Sequence, residues 1–89
     1  MITEKDKKTI REISEKYHIK RVLLFGSSLD TSKESHDIDI GVEGISPKDF
    51  FRYYGELIFA LSKPVDVIDL SDTSKFIKLV KEEGVPLYG

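Results

Sequence analysis

Three aspartates and a glycine–serine step define the chemistry open to this chain of 89 residues. Asp37 and Asp39 stand one residue apart in DIDIGV, Asp66 sits in PVDVIDL, and Gly26-Ser27 directly follows the apolar run KRVLLF. Side chains alternate across a strand, so Asp37 and Asp39 point to one face and Ile38, Ile40 and Val42 to the other. Strand rise puts the two carboxylates about 7 Å apart at the backbone, close enough to repel unless a cation lies between them. Oxygen donors alone favour a hard cation, Mg2+ or Mn2+, and such sites commonly combine few carboxylates with substrate phosphates. The plain alternative is that one face of this strand meets water, which an isolated DxD does not exclude.

Two further features bear on that choice. A glycine at the end of a buried strand lets the backbone approach a phosphate, and successive N–H groups can cradle it, although Gly-Ser is also an ordinary turn. Asp66 is a carboxylate in an otherwise apolar run, and completes a metal triad if its strand lies beside the DxD strand. Asp69 competes for that role, but it faces the other way and stands two residues before Ser71, which reads as a helix cap.

These residues must be positioned by a small core. The chain is 39% apolar and 34% charged with a formal net charge of −2, which is enough for one domain over residues 1–89. The charge balance argues against a general nucleic-acid binder. The positive excess in the first 21 residues reads as a solvated helix face rather than an RNA site. The absence of cysteine removes disulfides, thiolate metal sites and thiol nucleophiles. No signal peptide stands out, and no apolar run approaches the roughly 18 residues a membrane span needs, so the expected location is cytoplasmic.

The patterning gives the order α-β-β-α-β-α-β. Ile10, Ile13 and Tyr17 mark a first helix opened by Thr3 and Asp6; residues 20–25, 37–42 and 64–70 read as strands. Ser46, Pro47 and Asp49 open a second helix reaching about Ser62, with Phe50, Tyr54, Leu57, Ile58 and Leu61 as its inner stripe. Ser71 caps a third helix that Gly84 ends, and VPLYG is a short final strand confined to an edge by Pro86. The expected fold is α/β of the α+β type, a small mixed sheet with helices on one side.

In this order, FGS ending a strand, nine residues, DIDI, then PVDVIDL and the closing EEGVPLYG, the chain resembles the minimal nucleotidyltransferase family of the polymerase-beta superfamily. The resemblance covers nearly the whole chain and implies the polymerase-beta-like nucleotidyltransferase fold. It implies that Gly26 and Ser27 hold the β,γ-phosphates of a nucleoside triphosphate, ATP in the first instance. It also implies that Asp37 and Asp39 bind Mg2+ or Mn2+, while Asp66 shares a metal and helps deprotonate an acceptor hydroxyl. In-line attack at the α-phosphorus builds charge on phosphoryl oxygens, and paired metals stabilise both the attacking and the leaving oxygen.

The stretch GSSLDTSKE departs from many family members by lacking an arginine soon after Gly-Ser, and it carries an extra acid, Asp30. The charge of a bound triphosphate is therefore less compensated. Members of this kind are often paired with a small helical HEPN-type protein, and several are antitoxins that nucleotidylate it. The aromatic run FFRYYGELIF, with Phe50, Phe51, Tyr53, Tyr54 and Phe59, exceeds what one inner stripe needs and offers an interface. Three readings follow: a nucleotidyltransferase acting on a partner macromolecule, a catalytically inactive module that binds a helical partner, and an RNA-modifying enzyme. A homo-oligomer remains open.

Overall fold

The computed structural model describes residues 2–26 and 37–89. The element order is α1 (Glu4–Lys16), β1 (Arg21–Phe25), β2 (Ile38–Glu43), α2 (Pro47–Ala60), β3 (Val65–Asp69), α3 (Lys75–Glu83) and β4 (Val85–Tyr88). Each helix begins at a hydroxyl cap that satisfies an orphan backbone donor. Thr3 Oγ1 accepts from the Asp6 N–H at 3.1 Å, and Ser46 Oγ accepts from the Asp49 N–H at 3.3 Å with Pro47 as the first helical residue. The third cap is Ser74, which accepts from Ile77 N–H at 3.2 Å, and not Ser71 as the sequence suggests. Ser71 is engaged earlier: its N–H donates to Asp69 Oδ1 at 2.9 Å, closing a local turn at the end of β3.

Gly84 ends α3 as expected, but in extended backbone (φ −65°, ψ 148°) rather than the left-handed form. Its reason is space. A Cβ there would lie 2.6 Å from Val80 O and 3.0 Å from Leu23 Cβ, so glycine lets the chain pass directly from α3 into β4.

The four strands form one mixed sheet in the order β3-β2-β1-β4. β1 pairs antiparallel with β2 and β4, while β2 pairs parallel with β3. β4 is an edge strand, where Pro86 is tolerated because one side of the strand needs no ladder donor.

Alternation divides the sheet into two faces. Val22, Leu24, Ile38, Ile40, Val42, Val65 and Val67 meet Ile10 of α1 and Tyr53 and Leu57 of α2 in the main core. Leu23 and Leu70 point the other way and meet Ile77 and Val80 of α3. Helices therefore lie on one side for α1 and α2 only; α3 covers part of the opposite face, because its own apolar stripe needs Leu23 and Leu70.

The buried stripe of α2 is Tyr53, Leu57 and Leu61, with Phe50 and Tyr54 partly buried. Ile58, expected inside, is 59% exposed, and Tyr53 takes the interior instead. The Tyr53 hydroxyl is satisfied by Ser14 Oγ of α1 at 2.8 Å, and burial pushes its pKa up to about 12. A second tie joins the two helices at the surface, where Glu56 accepts from Lys16 Nζ at 2.8 Å and from the Tyr17 hydroxyl. Asp6, almost fully buried, accepts from the Ser62 N–H and hydroxyl just beyond the end of α2.

Candidate active site

β2 is an interior strand, and its two faces do different things. Ile38 and Ile40 enter the main core, while Asp39 faces away from it, half-buried. The parallel register makes Asp39 and Asp66 Cα partners, with neighbouring strands roughly 4.8 Å apart. Asp37 lies immediately before β2, exposed, at the mouth of the same strand. The next backbone N–H, that of Ile38, donates to Pro64 O at 2.8 Å and fixes this mouth against the start of β3. Asp66 is exposed on an edge strand.

On the other flank of Asp39 stands β1, whose last residue, Phe25, is its antiparallel partner. Gly26 follows with φ +67°, the left-handed region that glycine enters without penalty. A Cβ on Gly26 would come 2.8 Å from Asp39 Oδ2. The lack of a side chain thus lets the Gly26 backbone lie directly against the Asp39 carboxylate. Ser27, Asp30, Lys33 and His36 lie outside the described residues.

The face carrying these acids has two halves. Toward the far end of the sheet, α3 covers it with Ile77 and Val80 over Leu23 and Leu70. Toward the near end the cover stops at Phe76, which meets Phe25 edge-to-face at 5.9 Å, and beyond that border stand Asp39 and Asp66. Among the described residues, no group of three or more histidines, cysteines, aspartates and glutamates stands close enough to hold a metal ion. The structure brings together Asp39, Asp66 and Gly26, and leaves Asp37 at the rim. The donor set still fits a hard cation, since Mg2+ sites commonly take one or two protein carboxylates and fill the rest from water and phosphate.

Asp69, the rival third acid, pairs with Val42 farther along β3 and is occupied by the Ser71 N–H. The basic residues Lys20 and Arg21 are also remote. They lie at the opposite end of β1, about 13 Å of strand away from Phe25, and together with Lys81 they surround Glu43 at 3.4 to 3.9 Å.

One residue near the carboxylates was not legible as such. The Tyr54 hydroxyl reaches from α2 around the outer edge of β3, to 3.1 Å from Val65 O and 3.4 Å from Asp66 Oδ1. Its spacing in the sequence marks it only as part of an apolar stripe. It lines an open cleft of about 540 Å³ together with Ile58, Lys63 and Val65.

Comparison with known proteins bears on the fold and the family. No curated protein matches the chain in sequence. Among solved structures, a crystal structure of a toxin–antitoxin with AMP-PNP superposes with a TM-score of 0.76 at 24% identity, covering 93% of this chain and 73% of that one. The toxin–antitoxin MntA-HepT is similar with a TM-score of 0.73 at 22% identity, over 98% of this chain and 73% of that one. A third similar structure is a tri-AMPylated Shewanella oneidensis HEPN toxin in complex with MNT antitoxin, with a TM-score of 0.71 at 23% identity, over 94% of this chain and 70% of that one. At these identities the likeness is one of fold. The family model described as polymerase beta, nucleotidyltransferase, matches residues 7–89, nearly the whole sequence, and the chain therefore belongs to that nucleotidyltransferase family.

Proposed function

We propose that this domain transfers a nucleoside monophosphate from a nucleoside triphosphate, ATP in the first instance, to a hydroxyl on a partner protein of the HEPN type. The observation that carries the proposal is the side-by-side placement of Asp39 and Asp66, with the Gly26 backbone against Asp39, on the part of the sheet that α3 leaves uncovered. Membership of the nucleotidyltransferase family supports the reaction class. The AMP-PNP in one structural neighbour and the AMPylated HEPN toxin in another suggest the donor and the acceptor.

In this reading Asp37, Asp39 and Asp66 hold Mg2+ or Mn2+, and Gly26 with the Ser27 that follows it receives the β,γ-phosphates. The bound cation supplies charge stabilisation at the phosphoryl oxygens. Asp66, on the open edge of the sheet, takes the proton of the incoming hydroxyl as the hydroxyl oxygen bonds to the α-phosphorus, the bond from that phosphorus to the α,β-bridging oxygen breaks, and pyrophosphate leaves. The protein's own share is to align the reactants and to place charge, rather than to form a covalent intermediate.

A second reading has its own observation. On α2, Phe51 is 80% exposed and Phe59 95% exposed, with Ile58 beside them, which is the composition of a docking surface rather than a solvated helix. A module that binds a helical partner without catalysis would keep this surface and lose nothing at the acids.

Calorimetric titration of ATP, with and without Mg2+, decides between them. Binding that requires Mg2+ and disappears in a folded Asp37→Asn/Asp39→Asn variant supports transfer chemistry. Partner binding that survives this variant, in a domain that takes up no ATP alone or with its partner, supports the inactive module.

A further inference from the structure

Asp66 is exposed on an edge strand, so its own backbone leaves the carboxylate free to sample several rotamers. A group that shares a cation with Asp39 must instead present one oxygen toward β2. Backbone pairing does not enforce this, since register fixes the Cα positions and not χ1 or χ2. The Tyr54 hydroxyl stands at the place where such control can be exerted.

Its attachment is rigid on both sides. The phenol ring is anchored within α2 and packs edge-to-face on Phe50 at 6.0 Å. The hydroxyl contacts the Val65 carbonyl at 3.1 Å, and that carbonyl precedes Asp66 directly in the chain. From this position it also lies 3.4 Å from Asp66 Oδ1. A single O–H shared between a backbone oxygen and the adjacent carboxylate ties the side chain to its own strand. With Oδ1 held at the outer edge, Oδ2 is the oxygen left for the Asp39 side.

We propose that Tyr54 is a positioning residue for Asp66, holding the carboxylate in the orientation that a shared divalent cation requires. The inference rests on the reading of Asp39 and Asp66 as cation ligands. Hydrogen-bond partners behind a metal ligand orient it, and their loss typically weakens metal binding 10- to 100-fold.

The test uses the full chain and Mn2+ alone, with free Mn2+ followed by electron paramagnetic resonance, on wild type, Asp66→Asn, Tyr54→Phe and the double variant. Phenylalanine keeps the ring on Phe50, and the Val65 carbonyl lies at a solvent-facing edge where water can replace the hydroxyl. Tyr54→Phe should bind Mn2+ about 10-fold more weakly while melting at the wild-type temperature. In the Asp66→Asn background the same change should add nothing, because the residue acts only through Asp66. Wild-type affinity in Tyr54→Phe overturns the proposal, as does an equal loss in both backgrounds. If wild type itself binds no Mn2+, or if Asp66→Asn binds as wild type does, the cation-site reading fails first and the proposal falls with it.

Discussion

Asp39 and Asp66 are register partners on parallel neighbours, so two carboxylates leave the sheet side by side from one face. A divalent cation held between them would draw on both carboxylates at once. Asp66 is exposed, so Asp66→Asn should unfold within about 0.5 kcal/mol of wild type in chelator. Added Mn2+ should raise the melting temperature of wild type and leave that of Asp39→Asn/Asp66→Asn unchanged. Nucleotidyl transfer by either single variant should drop by more than about 100-fold, beyond the loss usual for residues behind a metal ligand. Thermal melts and a labelled-ATP transfer assay check these outcomes.

Gly26 is bound to its site by two constraints, a φ of +67° and a Cβ position 2.8 Å from Asp39 Oδ2. Gly26→Ala should cost about 1–2 kcal/mol from the left-handed backbone alone. The methyl group must also displace Asp39, so ATP affinity in Mg2+ should fall with it. Urea unfolding and calorimetry measure the two losses separately.

The buried pair Tyr53–Ser14 gives a prediction for the core. Tyr53→Phe leaves the Ser14 hydroxyl without its partner and should cost about 1–3 kcal/mol, part of which Ser14→Ala should restore in the double variant. Tyr53 also sets an alkaline limit. Its folded pKa is raised from 10.0 to about 12, so the neutral phenol contributes stability fully below pH 10, lost as pH rises toward the folded value. Denaturant titrations from neutral pH to pH 11 should give a decline in wild type that is shallower in Tyr53→Phe, where Tyr17 and Lys16, whose pKa values are also raised, remain.

Glu56 acts in the acid direction. Its hydrogen bond with Lys16, then that with Tyr17, holds its pKa below the ordinary 4.5. A depressed carboxyl contributes stability above its unfolded pKa and loses it as pH falls through the folded value. The gap in melting temperature between wild type and Glu56→Gln should be small, as for exposed ion pairs generally, and should close below pH 4.5.

The exposed rings of α2 supply a test of the partner surface. Phe59→Ser and Phe51→Ser remove side chains that are 95% and 80% exposed, so neither should lower the melting temperature. Both should weaken capture of a HEPN-type partner in a pull-down, with nucleotide binding intact.

Much of this was legible in the residues. Thr3, Ser46 and Pro47 mark helix starts because capping is local chemistry, readable within four residues. The alternation in DIDIGV places Ile38 and Asp39 on opposite faces for the same reason. Where two local answers compete, the sequence misleads. The helix cap read at Ser71 falls at Ser74, while the Ser71 N–H belongs to the turn that Asp69 closes. Tyr53 and Ile58 flank the same stripe of α2, and the interior goes to Tyr53 because Ser14, 39 residues earlier, meets its hydroxyl. The contact between Tyr54 and Asp66 depends on how α2 crosses the sheet edge, which no spacing encodes.

The division of labour along β2 has a consequence for how the protein can fail. A slip of one residue in its pairing would turn Asp39 toward Tyr53 and Leu57 and expel Ile38 and Ile40. The error that displaces Asp39 is thus also the error that destroys the core. A chain with β2 out of register loses its core together with the placement of Asp39, so a measure of folding in a preparation also counts the chains in which that carboxylate is correctly placed.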